Sequence, residues 1–303
     1  MECEKMIILK NDRLTVKISE LGAELRSVID NESNYEFMWQ GDKRYWNGTA
    51  PVLFPIVGEL KNNQYQYQGK TYELPRHGFA RRMTFQTQAV TDNSATFYLK
   101  SNEETLKVYP FEFSFQITYI LFEDKVSVSY EVLNPATDQV LYYSVGGHPA
   151  FNVSHHRPKT GQPEFVDVSY TFEPAGSYLN IPLVNGSADL DKAKYINVNN
   201  NPILHKTFKR DAQIFLLAKD TKVVLNDPNN EVKITMNPNQ LNLVGIWSSY
   251  PKKGGFVCIE PWAGLADTTN STGELTEKYA INQLNPGSIK THDYTLTFEK
   301  GIC

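Results

Sequence analysis

Cysteine is nearly absent from this chain. There are three in 303 residues, Cys3, Cys258 and Cys303, far apart and without a Cys-x-x-Cys pair. That excludes a disulfide framework and a zinc knuckle and points to a reducing compartment. An excess of one charge is missing too. Lys and Arg total 30 against 34 Asp and Glu, giving a net charge of −4 and a pI near 5.9. Nucleic-acid recognition usually needs a basic patch or stripe, so no nucleic-acid partner is expected, and no block of like charges forms a tail. Long apolar runs are missing as well. Met1-Glu2-Cys3-Glu4-Lys5 is mixed in charge and leads into only a short apolar run, unlike a secretory signal or a membrane span. The expectation is a cytoplasmic protein with no membrane partner. Helical periodicity is scarce: Asn102-Glu103-Glu104 is predicted to cap one short helix ending before Pro110. With no repeat, low-complexity tract or linker, residues 1–303 read as a single domain, a length that β-sandwiches and barrels reach as one unit.

What the sequence does have is period two. Phe111 to Tyr119, Lys125 to Val132 and Glu231 to Met236 alternate apolar and polar residues, the mark of strands with one face on a core. Thr15 to Ile18, Thr96 to Leu99, Gln213 to Leu217 and Tyr294 to Phe298 are further candidates. Asn47-Gly48, Asn134-Pro135, Asn185-Gly186 and Asp227-Pro228-Asn229-Asn230 supply turn chemistry between them, and Asp124-Lys125 is expected to close a hairpin. Many short strands, turn punctuation and few helices imply an all-β sandwich or barrel. The polar stretch from Ser154 to Pro163 reads as a loop.

Four segments combine rare polar side chains with stiff or special backbone: Pro75 to Arg81, Val145 to Phe151, Lys209 to Ala212 and Cys258 to Gly264. His148 follows two glycines, which permit unusual angles and close approach. It precedes Pro149, which biases it to an extended conformation. It is either an acid/base group presented where a strand breaks or a histidine satisfying neighbouring backbone. Glu260 ends the apolar run Gly255 to Ile259, predicted to be a buried strand, and Pro261 is expected to stop the ladder. Its side chain shares a face with Cys258 and Phe256. Burial would raise its pKa and suit it to proton transfer, the alternative being a buried ion pair or a rim carboxylate. Trp262 either stacks on a sugar or fills core. A metal site of His77, His148 and Glu260 finds no support in the long gaps between them, so none is expected. His155-His156 reads as solvated loop, and a mid-strand thiol such as Cys258 as inert.

At these residues the chain resembles the aldose 1-epimerase (galactose mutarotase) superfamily, in particular its LacX-like subgroup. The likeness runs from Leu21-Gly22-Ala23-Glu24-Leu25 through Ala50 to Gly58 and on to Glu260-Pro261-Trp262. It implies a large antiparallel β-sandwich, of the galactose mutarotase-like kind, holding a sugar in an open cleft. The roles it implies are Glu260 as the base on the C1 hydroxyl and His148 as the acid on the ring oxygen. His77, Asp211 and Arg81 become substrate-binding residues, Arg81 having a structural ion pair as its alternative. Opening and reclosing a hemiacetal needs one base and one acid and no cofactor. The family often carries arginines near the positions of Gly48 and Glu59, where this chain has Gly48, Glu59 and Lys61. That leaves the charge of the ligand open, since a phosphate would want an arginine fork such as Arg76 or Arg81. The expected function is therefore a hexose mutarotase. The alternatives are a hexose-6-phosphate 1-epimerase and a non-catalytic sugar-binding or regulatory protein. A glycoside hydrolase would need a second paired carboxylate. The expected partner is a small-molecule sugar, and monomer and homodimer both fit.

Overall fold

A computed structural model describes residues 5–156 and 164–301. Cys3, Cys303 and most of the expected Ser154–Pro163 loop lie outside them. The alternating segments fold as strands, each close to where its periodicity places it: Leu14–Ser19, Ser94–Lys100, Lys125–Leu133, Gln213–Leu216, Val232–Asn237 and Ile289–Lys300. The Phe111–Tyr119 segment is shifted. Its strand is Ser114–Phe122, while Phe111 and Phe113 precede it and pack in a cluster of aromatic rings with Phe54, Tyr109 and Tyr142. Lys125 belongs to its strand, paired with Phe122, so Glu123 and Asp124 make the hairpin turn. The expected helix is Glu103–Val108. Asn102 accepts from the backbone N–H groups of Glu104 and Thr105 in a capping box.

Two antiparallel sheets carry the architecture, one of nine strands and one of eight, with a three-stranded sheet from Met6 to Asp30 beside them. The large sheets face each other. Phe172 of the first meets Phe215 of the second with ring centroids 5.1 Å apart, and the inward residues of both join one hydrophobic cluster. This is the large β-sandwich that the alternation predicts. Among the described residues no helix is long and apolar enough to cross a membrane.

One strand of the eight-stranded sheet is buried on both faces. In Phe256–Ala263 every residue is closed off from solvent. Val257, Ile259 and Ala263 point into the core between the sheets, each large aliphatic contributing on the order of 1.5–3 kcal/mol. The alternate residues point outward: Phe256 and Cys258 pack with Ala150, and Trp262 packs with Leu53, Ile214 and Leu243. Glu260 lies between them on that outer face. The strand runs through Pro261, contrary to the expected stop at Glu260. The N–H of Ile259 reaches Pro149 O at 3.2 Å, so the N–H that Pro261 lacks would point the same way. On that side the neighbour is interrupted between Val145–Gly147 and Ala150–Asn152, and no ladder bond is forfeited.

Candidate active site

The interruption is where His148 sits. Gly146 and Gly147 bring this strand close to its surroundings: a Cβ on Gly146 would stand 2.6 Å from the Trp262 ring, and one on Gly147 2.8 Å from the Tyr294 hydroxyl. Neither glycine has a positive φ. Close approach, and not an unusual backbone angle, is what requires them. Register then places His148 above the outward face of Phe256–Ala263, with its Nε2 3.1 Å from Glu260 Oε2. His148 is 7% exposed and Glu260 2%.

Burial dominates the electrostatics of this pair. It pushes the Glu260 carboxyl well above the usual carboxylate range, helped by the nearby Asp211 charge and opposed by Arg76. It pulls the His148 imidazole down to about 3, with Arg76 and Arg81 adding to the effect. Both groups are driven to their neutral forms, so between these limits the pair holds one proton across a contact short enough for transfer.

His77 lies on the adjoining wall, its ring edge-on to His148 at 5.5 Å. The backbone N–H of Gly58 donates to His77 Nδ1 at 3.1 Å, and the His77 N–H donates to Gly58 O at 2.9 Å. Burial, followed by His148, Arg76 and Arg81, holds its pKa well below that of free histidine. A neutral ring accepting at Nδ1 carries its proton on Nε2.

Asp211 stands at the lip of the pocket. It ends the turn His205–Arg210 with φ of 81°, a left-handed conformation that is costly for a residue with a side chain. Its Oδ2 accepts from Arg76 Nη2 at 2.6 Å and its Oδ1 from the Ala212 N–H at 2.9 Å. Glu59 Oε2 lies 4.0 Å from Arg76 Nη1, so one guanidinium bridges two acids. Arg81 donates from Nη2 to Arg76 O at 2.9 Å, leaves its buried Nε unpartnered, and makes no ion pair among the described residues.

These groups line a pocket of about 220 Å³ whose walls include Trp46, Trp247 and Trp262, a space on the scale of one sugar ring. Through Arg76, Asp211 and Trp247 it adjoins a wider cleft of about 930 Å³. Glu260, His148, His77, Asp211 and Arg81 thus all meet in one place. Trp262 lines the floor but spends most of its surface on core packing. His155-His156 is not a solvated loop: it forms a short strand against Glu164–Phe165, with His155 Nε2 3.0 Å from His205 Nε2, apart from the pocket.

Sequence reasoning missed Trp46 and Trp247. Trp46 stacks on His148 at 4.9 Å and 25°, and Trp247 meets it edge-on at 5.6 Å. The available signal was Trp46-Asn47-Gly48. A Cβ on Gly48 would lie 2.5 Å from the Trp46 ring, so this position takes a glycine because an indole lies across it.

A sequence model of the aldose 1-epimerase family matches residues 5–294. The LacX protein of Lactococcus lactis subsp. lactis is 31% identical over 301 residues, 96% of this chain and 98% of that one. The crystal structure of a galactose mutarotase-related enzyme of Lactobacillus acidophilus superposes with a TM-score of 0.92 at 38% identity, covering 98% of each chain. A galactose mutarotase-like protein of Lactobacillus casei superposes with a TM-score of 0.89 at 31% identity, covering 97% of this chain and 100% of that one.

Proposed function

Since the chain belongs to the aldose 1-epimerase family, we propose that it interconverts the α and β anomers of a hexose, with Glu260 and His148 as base and acid. The observation that carries this reading is the contact of 3.1 Å between the two groups inside a sugar-sized pocket. At rest the pair holds one proton. Its movement from Glu260 to His148 creates the carboxylate and imidazolium that the reaction uses, with no proton taken from water. The carboxylate accepts the C1 hydroxyl proton as the C1–O5 bond breaks, and His148 delivers its proton to O5. The open aldehyde turns about C1–C2, and reclosure from the other face reverses both transfers. Each contribution of this kind supplies on the order of 10²–10⁴ in rate. His77 donates from Nε2 to the ring oxygen or its neighbour, Asp211 and Arg76 bind hydroxyls, and Arg81 supports Arg76 from behind.

A second reading, with a hexose-6-phosphate as the substrate, rests on one observation. The wider cleft is faced by Arg76, Lys192, Lys194, Lys209 and Arg210 against Asp211 as its single acid, on a chain whose net charge is −4. Lys192 is occupied by Asp189 at 2.7 Å, whereas Lys194, Lys209 and Arg210 have no ion-pair partner among the described residues. A phosphate at the far end of the sugar would find cations there.

Polarimetry of freshly dissolved α-D-glucose and α-D-galactose, alongside a coupled anomer assay with glucose-6-phosphate, tests both readings. Faster decay with a free sugar is the expected result. Acceleration with the phosphate alone would transfer the assignment to the phosphosugar. Binding by calorimetry without acceleration of any of them would overturn the catalytic reading.

A further inference from the structure

We propose that His148, Cys258 and Glu260 form a binding site for a thiophilic divalent cation of the Zn²⁺ type, and that an ion seated there turns the acid/base pair off. Only the second half rests on the function proposed above; the binding site stands on the structure.

Strand geometry builds the site. Cys258 and Glu260 are two apart on Phe256–Ala263 and so project from the same face. His148 reaches that face because its own strand is interrupted opposite them, with Ala150 paired to Cys258. One imidazole nitrogen, the thiol sulfur and one carboxylate oxygen all lie within 4.8 Å of one another. Tetrahedral zinc holds sulfur at about 2.3 Å and nitrogen or oxygen at about 2.0–2.2 Å, which spaces its ligand atoms roughly 3.3–3.6 Å apart. His148 and Glu260 are at 3.1 Å already, so closing the set asks only for small side-chain rotations. The fourth position faces the pocket that His148 and Glu260 line, leaving room for a water or a sugar hydroxyl.

Charge favours occupancy. The environment of Trp46, Trp247 and Phe256 is poor in water, and in it a lone carboxylate or thiolate is costly. A divalent cation with one thiolate, one carboxylate and a neutral imidazole is electroneutral. Binding would expel the thiol proton and the carboxyl proton, exchanging two protons for one ion without any redox change, and it would strengthen as pH rises. A sulfur ligand selects Zn²⁺, Cd²⁺ or Co²⁺ over Mg²⁺ and Ca²⁺, which prefer oxygen. The lone pairs used by the ion are those that the anomer reaction needs, so metal and turnover exclude each other.

The test uses the full chain, freed of metal by chelation. Titration with Co²⁺ is expected to give a near-ultraviolet thiolate-to-cobalt absorption that saturates at one ion per chain and disappears in Cys258→Ala. Cys258→Ser provides a second, more conservative replacement. In the anomer assay Zn²⁺ is expected to inhibit the wild type while Mg²⁺ does not. Cys258→Ala is expected to turn over normally without metal and to need at least about tenfold more Zn²⁺ for the same inhibition. Absence of the cobalt band, or its persistence without Cys258, would overturn the site. Equal Zn²⁺ sensitivity of wild type and Cys258→Ala would do the same. If the wild type turned over no sugar at all, the cobalt spectrum would still decide the site while the catalytic reading fell.

Discussion

The Gly58 N–H donates to His77 Nδ1 across 3.1 Å, and this single backbone contact decides what His77 can do. With Nδ1 committed as acceptor and the ring kept neutral by burial, Nε2 is a permanent donor towards the pocket. The prediction is that His77→Phe, which keeps the ring but loses the donor, lowers kcat/KM by about 10–100-fold, the loss of one buried hydrogen bond at about 1–3 kcal/mol. His77→Gln should recover part of it. Nitrogen NMR of the labelled protein should find Nε2–H between pH 5 and 8, and an Nδ1–H tautomer there would refute the assignment.

Glu260→Gln keeps shape and polarity but cannot exchange a proton. The anomer rate is expected to fall by about 10²–10⁴ with sugar affinity measured by calorimetry nearly unchanged. The wild-type profile follows from the one-proton pair. Activity should be flat through neutral pH and fall on the alkaline side as the raised Glu260 carboxyl gives up the shared proton. It should fall on the acid side only near pH 3, as His148 takes up a second. A profile that halves near pH 6.5 would mean that His148 titrates as a free histidine and would sink the shared-proton mechanism.

The strands were legible because burial writes itself into the sequence as alternation, and Lys125–Leu133 shows this along its whole length. Phe111 and Phe113 misled because the same alternation arises wherever every second residue faces a core, strand or not. The candidate site was legible at His148 and Glu260, since glycines before a histidine and a carboxylate at the end of an apolar run break local rules. Trp46 was not. Its role depends on meeting His148 from another part of the chain, which has no local signature, and Gly48 two residues on hints at a crowded ring without saying what it meets. Pro261 misled for a similar reason: whether a missing N–H matters depends on the partner strand, and that partner is interrupted at His148.

Trp46 yields a prediction of its own. If its ring positions His148 by stacking, Gly48→Ala should push the indole away, because the added Cβ would stand 2.5 Å from it. Both Gly48→Ala and Trp46→Ala are expected to lower kcat by roughly 2–10-fold, the worth of one ring contact at about 0.5–1.5 kcal/mol. Trp46→Phe should keep most of the rate. Trp46 emission should shift in Gly48→Ala, and unchanged emission with unchanged kcat would show that the ring does not hold His148.

Stability should fall on mild acidification, and the sign follows from four histidines. His148 is held down to about 3, His205 and His292 to about 4, and His77 well below its free value, in each case chiefly by burial. A histidine whose folded pKa lies below its unfolded value of 6.5 binds its proton only in the unfolded chain. Its contribution is therefore complete above pH 6.5 and is lost as pH falls from there towards the folded value. Each costs about 1.4 kcal/mol per pH unit inside that window. Glu260 and Glu36, both raised by burial, work in the opposite direction above about pH 4.5 but are fewer. The urea midpoint should accordingly drop between pH 6.5 and 4.5. His292 does not line the pocket and touches the Tyr143 hydroxyl through Nε2 at 2.8 Å, so His292→Gln should flatten the slope by about one proton while leaving kcat alone. A midpoint independent of pH over this window would mean that these rings gain protons in the folded chain as readily as in the unfolded one.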